Sequence, residues 1–364
     1  MLYRSIGVAG TCIYLSLAVL CRGFQAPPSL FAKAELPAAR HPSSLSGIAP
    51  NPLLDNIKLS KTIEVFSTVK EMEAGGMTIT SLCVGEPDFP PPRAVLDATI
   101  AAVNNKDTRY TAVTGTAALR AAIANDLRER KGLEYKPTEV LVSNGAKQSV
   151  YQGVLAFCGE GDEVIIPAPY WPSYPEMVAL TGAKPVIVPT SIEDGFLLDP
   201  EKLEGYITER TKLMIFCNPS NPTGAVHSEE RQEAIAKVLK RHEKVVVLSD
   251  EIYERLVYND KNPHVSFASI DGMYDRTLTV NGFSKAYAMT GMRLGYMAAP
   301  VGLIKVSKMS CEAVIYEVVP SNRSSCPSLL LTAALYHNTV AADLVRGEPE
   351  PSGWRSGAQG GRGK

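Results

Sequence analysis

The sequence lacks the cysteine spacings that metal sites and disulfide frameworks require. Its seven cysteines are scattered among 364 residues without a CxxC pair, so it predicts neither a structural metal site nor a disulfide scaffold and favours a compartment where thiols stay reduced. Long basic runs are also missing, since 37 Lys and Arg balance 38 Asp and Glu. We therefore expect no bound metal and no nucleic-acid partner.

The composition has no extreme that would indicate a non-globular chain. Hydrophobic residues make up 45% and charged residues 21%, which argues against disordered, collagen-like and coiled-coil proteins. No internal repeat is visible. The length allows two or more domains around a large apolar core.

The first 50 residues differ from the rest. Residues 1–4 give a short basic start, and residues 6–21 form an apolar stretch too short for a membrane span. Residues 24–50 are rich in Ala, Pro and Ser and contain one acidic residue, Glu35. This signal-plus-transit pattern is similar to the bipartite leader of algae with complex plastids, which implies a plastid location and no membrane attachment after processing. Secretion is the alternative, and the missing disulfide pattern argues against it.

From about Asn51 the pattern is that of an α/β protein. Short apolar runs of strand length alternate with stretches in which apolar residues recur every three or four positions. Such alternation predicts parallel strands joined by crossover helices. The strand-like runs are residues 139–142, 164–166, 185–188, 213–216, 245–248 and 277–280, and the clearest helices are residues 117–131 and 229–242.

Six polar motifs mark this region, and sites in parallel sheets gather at the carboxyl ends of strands. In chain order they are Gly85-Glu-Pro-Asp-Phe89, Ser143-Asn-Gly-Ala-Lys-Gln148, residues 168–176 around Trp171, Asn218-Pro-Ser-Asn-Pro-Thr-Gly224, Ser249-Asp-Glu-Ile-Tyr-Glu254, and residues 281–296 with Lys285 and Arg293. Together they resemble class I aminotransferases of subgroup Ib, most of all the plastid aspartate and prephenate aminotransferases, over residues 59–303.

The resemblance implies fold type I of the pyridoxal-phosphate-dependent transferases, an α/β fold with a mostly parallel sheet flanked by helices. Residues 90–308 would form the large cofactor-binding domain, and residues 51–89 would begin a small domain after the leader of residues 1–50. Residues 309–364 are expected to be a divergent tail, either disordered, as the composition of residues 342–364 suggests, or mis-translated through a frameshift or retained intron, which leaves the small domain incomplete. The resemblance also implies a homodimer with shared active sites.

Lys285 and Asp250 are the expected catalytic pair. A pyridoxal cofactor needs an amine whose pKa is lowered, and the resemblance makes Lys285 that amine and also the base that moves the substrate proton. The pyridine nitrogen must stay protonated, which requires a buried carboxylate at a strand end. Asp250 follows a predicted strand and matches that residue.

The cofactor phosphate requires backbone amides at a helix start and a bidentate cation. Gly145, Ala146 and Lys147 are expected to supply the amides, and Arg293 the cation. By resemblance, Tyr110 would reach the phosphate across the dimer interface, and Ser284 is a further candidate ligand.

The cofactor ring requires a flat neighbour and donors to its phenolic oxygen. Trp171 is expected to stack on the ring, while Asn221 and Tyr253 match the residues that bind the oxygen, Tyr253 being counted as catalytic too. Gly85 would let the backbone approach the substrate carboxylate. The substrate-binding set is Gly85, Trp171, Asn221, Thr62 and Lys147, the last two matching Thr and Lys in relatives that use prephenate.

Three departures from the family pattern are visible. Gly282 stands where relatives outside the plastid group often carry Ser, and Met292 stands where near relatives usually have Trp. After about Lys308 no motif corresponds to the family region that supplies the arginine for the substrate carboxylate. We therefore expect the chain as written to be inactive or nearly so.

The expected reaction is pyridoxal 5'-phosphate-dependent transfer of an amino group between aspartate or glutamate and a 2-oxo acid, with prephenate as a candidate. One alternative is a pyridoxal-dependent lyase on the same fold, which would share Lys285 and Asp250. Another is a truncated remnant without catalysis.

Overall fold

A seven-stranded sheet organises the part of the chain that this computed structural model describes, which comprises residues 51–57, 61–107, 110–259 and 262–315. The strand order across the sheet is β1-β7-β6-β5-β4-β2-β3. The strands are β1 Val140–Ser143, β2 Glu163–Ala168, β3 Lys184–Pro189, β4 Thr211–Cys217, β5 Val246–Asp250, β6 Thr277–Gly282 and β7 Gly295–Ala298.

Six of the strands run in one direction and β7 runs against them. The pairs β2–β3, β2–β4, β4–β5 and β5–β6 are parallel, whereas β7 is antiparallel to both of its neighbours, β1 and β6. The carboxyl ends of the six parallel strands therefore meet at one edge of the sheet, where open α/β sheets place their binding sites.

Helices connect the strands and cover the sheet. The α-helices of the described residues are α1 Lys61–Ala74, α2 Arg93–Asn104, α3 Ala117–Lys131, α4 Ala146–Phe157, α5 Ser173–Ala179, α6 Pro200–Glu204, α7 Glu229–Lys240, α8 Phe283–Ala286 and α9 Val301–Ile315. Short 3-10 turns occupy Pro52–Asn56, Pro137–Glu139, Phe267–Ser269, Tyr274–Arg276 and Thr290–Met292.

Local sequence explains where these helices begin and end. The Thr116 side chain accepts a hydrogen bond from the Leu119 amide at the start of α3, and Gly132 ends the same helix in the left-handed conformation with φ 66°. The Ser228 side chain caps α7 in the same way through the Arg231 amide. The helices are therefore bounded by residues whose conformations stop propagation.

The sheet is buried on both faces, as a parallel sheet must be. Along β2, Val164 and Ile166 contact one apolar cluster, which includes Val150 of α4. Ile165 between them contacts a second cluster, on the side of α7. A third apolar cluster packs around α3.

The predicted α/β class and mostly parallel sheet are confirmed. All six predicted strands and both predicted helices form, although Glu139 belongs to a 3-10 turn rather than to β1 and α7 ends at Lys240. Strand β7 was not predicted. None of the helices within the described ranges is long and apolar enough to cross a bilayer.

The predicted domain boundaries fall partly on described residues. Helix α9 continues past Lys308 to Ile315, and Cys311 is fully buried in the cluster that includes Ile304. The leader of residues 1–50 and the tail of residues 342–364 lie outside the described residues, so their expected character stays a prediction.

Candidate active site

The predicted site residues lie just after the carboxyl ends of five parallel strands. β1 is followed by the stretch that opens α4, β2 by Trp171, β4 by Asn221, and β6 by Lys285, while Asp250 is the last residue of β5. Since these ends share one edge of the sheet, residues far apart in sequence are brought together there.

Lys285 sits in α8, three residues after the end of β6. Its Nζ donates a hydrogen bond to the backbone carbonyl of Gly85 and lies 5.9 Å from the centre of the Tyr253 ring. Burial lowers the pKa of the Lys285 amine below its ordinary value of 10.5, a shift that Glu86 opposes and Arg293 reinforces. A depressed pKa is what an amine needs in order to act as a nucleophile near neutral pH.

Asp250 is 3% exposed and belongs to the strand beside β6. Its Oδ2 accepts a hydrogen bond of 2.7 Å from the Tyr174 hydroxyl, and its Oδ1 accepts one of 3.3 Å from the Ile252 amide. Burial raises the pKa of the carboxyl to about 6, although the Tyr174 hydrogen bond opposes the shift. Within the described chain both donors are neutral, so this carboxylate is held ready for a positive charge that the neighbouring groups do not supply.

Asn221 and Tyr253 form a polar pair between the ends of β4 and β5. The Asn221 Nδ2 donates to the Tyr253 hydroxyl oxygen over 3.1 Å. Burial raises the pKa of Tyr253, so its hydroxyl stays protonated near neutral pH. The pair can present an amide and a hydroxyl donor to one acceptor oxygen.

The start of α4 and Arg293 form a cradle for an anion. Gly145 precedes the helix with φ 83°, a conformation that favours glycine, and a Cβ there would collide with the Arg293 guanidinium. No side chain caps this helix start, which leaves the first amides, from Ala146 and Lys147, directed at the end of the helix axis. Arg293 donates to the carbonyls of Thr290 at 3.2 Å and of Asn144 at 3.3 Å.

Lys285 and Arg293 belong to the same connection. Both lie between Gly282, the last residue of β6, and Gly295, the first residue of β7, and these two glycines pair in the sheet. A Cβ on Gly282 would lie 3.0 Å from the Leu294 carbonyl oxygen and 3.1 Å from Ile252 Cδ1. A side chain at this position would therefore require its neighbours to shift by a few tenths of an ångström.

Trp171 follows β2 and contacts two side chains. The Lys147 ammonium lies 5.4 Å from the centre of its ring, and Tyr174 packs against it edge to face with ring centres 5.3 Å apart. Tyr174 belongs to the motif of residues 168–176, but no role was predicted for it. Its position three residues after Trp171, at the start of a helix, was the available signal.

The surroundings of four further predicted residues say less about the roles expected for them. Tyr110 is 83% exposed, and Thr62 is exposed on α1. Ser284 is 8% exposed at the start of α8. Gly85 is exposed, and its carbonyl accepts the Lys285 hydrogen bond.

A buried charge cluster, which no sequence pattern indicated, lies behind the motif that carries Asp250 and Tyr253. The Lys131 ammonium at the end of α3 lies 2.6 Å from Glu251 Oε2 and also contacts Glu254 Oε2. Their side chains are at most 6% exposed. His264 brings a third potential metal-ligating atom within 4.8 Å, but the ammonium already supplies a positive charge there.

The comparisons with known proteins agree on one family. Residues 78–334 match the family described as Aminotransferase class I and II. The chain belongs to the class I and II aminotransferases. The match continues past Lys308, so the motif-based limit of the resemblance was placed too early.

Curated relatives of this family member carry more specific names. It is 52% identical over 298 residues to the bifunctional aspartate aminotransferase and glutamate/aspartate-prephenate aminotransferase of Petunia hybrida, covering 82% of this chain and 61% of the relative. It is 47% identical to the aspartate/prephenate aminotransferase of Cereibacter sphaeroides, covering 69% of this chain and 63% of the relative. The family member thus spans about three-fifths of the length of these two relatives.

Solved structures show the same fold. The aspartate aminotransferase of Rhizobium meliloti superposes with a TM-score of 0.72 at 37% identity, covering 82% of this chain and 73% of that one. The aspartate aminotransferase of Thermus thermophilus with maleate gives 0.71 at 36% identity, covering 82% and 76%. The fold of this family member is therefore fold type I, as expected.

The cofactor of this family is pyridoxal 5'-phosphate, and the residues present fit its functional groups. Lys285 offers an amine with a lowered pKa to the aldehyde. Asp250 offers a buried carboxylate to the ring nitrogen, and the uncapped start of α4 with Arg293 offers donors to the phosphate. Lys285, Asp250 and the start of α4 lie at the ends of three different strands, β6, β5 and β1, whereas Arg293 shares the connection between β6 and β7 with Lys285.

Proposed function

We propose that this chain carries the site of an aminotransferase that moves an amino group between aspartate or glutamate and a 2-oxo acid, with pyridoxal 5'-phosphate held by Lys285. The observation that carries the proposal is the placement of a lysine with a lowered pKa and a buried carboxylate with a raised pKa at the ends of the neighbouring strands β6 and β5. Opposite shifts of two nearby titratable groups are a signature of catalytic sites.

Each residue has a distinct task in this proposal. The cofactor, when bound, withdraws electrons from the substrate Cα and so makes its proton removable. Lys285 would hold the cofactor through its amine and would also be the general base for the proton on the substrate Cα. Asp250 stays ionised opposite the ring nitrogen and keeps it protonated.

The remaining residues bind and orient. The amides of Gly145, Ala146 and Lys147 with the Arg293 guanidinium hold the phosphate, and Ser284 is a further ligand. Asn221 and Tyr253 would donate to the phenolic oxygen of the cofactor, and Trp171 would stack on its ring.

Substrate choice rests on the relatives. The Petunia and Cereibacter proteins are named for aspartate and prephenate, and the Thermus structure is titled with maleate, a dicarboxylate. We take a dicarboxylic amino acid as the donor and prephenate as a candidate acceptor. The Lys147 ammonium beside Trp171 suits a second carboxylate, and Thr62 is the other residue proposed for prephenate.

Two copies of the chain complete the proposed site. Tyr110 is 83% exposed, which suits a side chain that reaches the phosphate bound by a second copy. Sedimentation of the purified chain should show a dimer, and a monomer at micromolar concentration would contradict this part of the proposal.

A fluorescent fusion to residues 1–50 should enter the plastid of a suitable alga, whereas secretion to the medium would favour the alternative leader.

The decisive experiment is covalent trapping. Borohydride reduction of the full chain incubated with pyridoxal 5'-phosphate should fix the pyridoxyl mass on the peptide that contains Lys285. Lys285→Ala should abolish the label, and Lys305→Ala, which changes an exposed lysine on α9, should keep it. Label on another lysine would overturn the assignment.

Product analysis separates the reaction classes. An aminotransferase requires a 2-oxo acid acceptor and yields the matching amino acid, whereas a lyase consumes the amino acid without an acceptor. Labelled protein that does neither would identify the non-catalytic alternative.

A further inference from the structure

Tyr174 is a buried side chain that the proposed reaction does not yet use. It lies in α5 and is 2% exposed, and its hydroxyl donates a hydrogen bond of 2.7 Å to Asp250 Oδ2. A hydrogen bond to a carboxylate is stronger and shorter than one between neutral groups. The contact is therefore the principal side-chain restraint on Asp250 among the described residues.

The two hydrogen bonds of Asp250 fix its plane. Oδ2 accepts from Tyr174 and Oδ1 accepts from the Ile252 amide over 3.3 Å. The two donors belong to different elements, so rotation of the carboxylate would break at least one bond. Each oxygen keeps a further lone pair that can accept from a cationic N–H group.

The electrostatic surroundings would otherwise favour the protonated acid. The titratable groups that face Asp250 are Tyr174 from α5, Cys217 from the paired strand β4, and Tyr253 and Glu251 from its own segment. The tyrosines and the cysteine are neutral, Glu251 is acidic, and burial raises the pKa of Asp250 to about 6. Tyr174 acts in the opposite direction, because its hydroxyl stabilises the ionised form.

Tyr174 also supports the residue proposed to cover the cofactor ring. Its ring meets Trp171 edge to face, with interplanar angle 88° and centre separation 5.3 Å. Such a contact fixes the orientation of the indole beyond what apolar burial alone would do. One side chain thus touches both the nitrogen partner and the stacking partner of the ring.

We propose that Tyr174 is a positioning residue that holds the Asp250 carboxylate ionised and oriented toward a cationic ring nitrogen. The proposal rests on the proposed function for the identity of that ring. Its effect on Asp250 itself needs no cofactor and can be measured without one.

The first test is the titration of Asp250 in the cofactor-free chain. The carboxyl signal in protein with ¹³C-labelled aspartate is identified by its loss in Asp250→Asn, and its midpoint is compared in wild type, Tyr174→Phe and Tyr135→Phe. Tyr135 is a matched control, since its buried hydroxyl contacts Thr279 at 3.4 Å instead. Tyr174→Phe should raise the midpoint by about one pH unit, a tenfold change in the ionised-to-protonated ratio. A midpoint equal to that of the control would overturn the proposal.

The second test is the pH dependence of cofactor affinity. Pyridoxal 5'-phosphate should bind Tyr174→Phe roughly fivefold more weakly near pH 6, with the loss shrinking above pH 8, where Asp250 is ionised in both proteins. A loss of the same size at every pH would show a packing role only and overturn the proposal. If wild type binds no cofactor while the titration shift is present, the proposed function fails and the effect of Tyr174 on Asp250 stands.

Discussion

Asp250 and Glu254 are buried carboxylates four residues apart, and their surroundings have opposite effects on them. Asp250 accepts hydrogen bonds from neutral donors, and burial raises its pKa to about 6. Burial would also raise the pKa of Glu254, but the charges of Lys131 and Arg130 outweigh it and lower that pKa. Glu254 is thus fully matched with cations, whereas Asp250 is not.

Within this one motif, Glu254 therefore stabilises the fold, whereas Asp250 belongs to the candidate site. A buried carboxylate beside a buried ammonium is satisfied by the fold itself, and removing either partner leaves an uncompensated charge. A buried carboxylate without a cation is kept at a cost to stability and is a feature of ligand sites. Asp250 and Tyr253 belong to the candidate site at the edge of the sheet. Glu251 and Glu254, from the same turn, form ion pairs with Lys131 at the end of α3.

The largest expected effect comes from removing the cation behind the motif. Lys131→Met leaves Glu251 and Glu254 without their shared ammonium and should lower the free energy of unfolding by about 3 to 5 kcal/mol, measured by urea denaturation. Lys240→Met is the control, because it breaks an exposed pair with Asp271 and should cost less than about 1 kcal/mol. Equal losses in the two variants would remove the distinction drawn between buried and surface pairs.

The second effect concerns Asp250 and has the opposite sign. Between its ordinary pKa of 3.8 and its folded pKa of about 6, the folded chain holds a proton that the unfolded chain has lost, so stability falls as pH rises through this window. Asp250→Asn cannot ionise. Without cofactor it should therefore be more stable than wild type at pH 8, by about 3 kcal/mol, and this advantage should disappear near pH 4.

The same variant should lose function while gaining stability. Turnover should fall by at least about a hundredfold, because the ring nitrogen loses its charged partner. Asp271→Asn, at a 98% exposed side chain, is the control for both measurements. A stability difference that does not change with pH would show that the Asp250 carboxyl does not titrate in this range.

The smallest expected effect on stability concerns the hydrogen bonds that Glu251 accepts. Ser266→Ala removes the hydroxyl that donates to Glu251 Oε1 over 2.7 Å, while Ser249 and the Phe267 amide still donate to the same oxygen. The free energy of unfolding should fall by about 1 kcal/mol, with cofactor affinity unchanged. A clear loss of affinity would mean that the back of the motif also tunes the site.

The strands that the sequence predicted and the one it missed differ in a physical way. The runs at residues 213–216 and 277–280 contain only large apolar or β-branched residues, so they stand out as strands between helices. Strand β7 has four residues, Gly295–Ala298, all buried and including two small side chains, so it offers neither alternation nor a β-branched run. It pairs with β1, which lies far from it in sequence, and with β6, from which the long connection of residues 283–294 separates it.

The site was predictable where a motif follows a strand and not where partners meet through tertiary packing. Lys285, Asp250 and Asn221 lie at the expected strand ends. Lys131 ends a helix, where a lysine is usually solvated, and nothing local to it indicates a carboxylate 120 residues later. The role of Tyr174 was equally unpredictable from local sequence, because a tyrosine at the start of a helix is most often an ordinary core residue.

The connection between β6 and β7 gives the site a modular character. It is closed at its base by the Gly282 and Gly295 pairing and by the Phe283 amide, which donates to the Leu294 carbonyl over 3.1 Å. Lys285 and Arg293, the proposed anchors for opposite ends of the cofactor, are therefore carried on one covalent loop whose reach is set by a single pair of strands. Exchange of this loop as a cassette with a relative would move both anchors together, while the residues that contact the ring would stay with the recipient sheet.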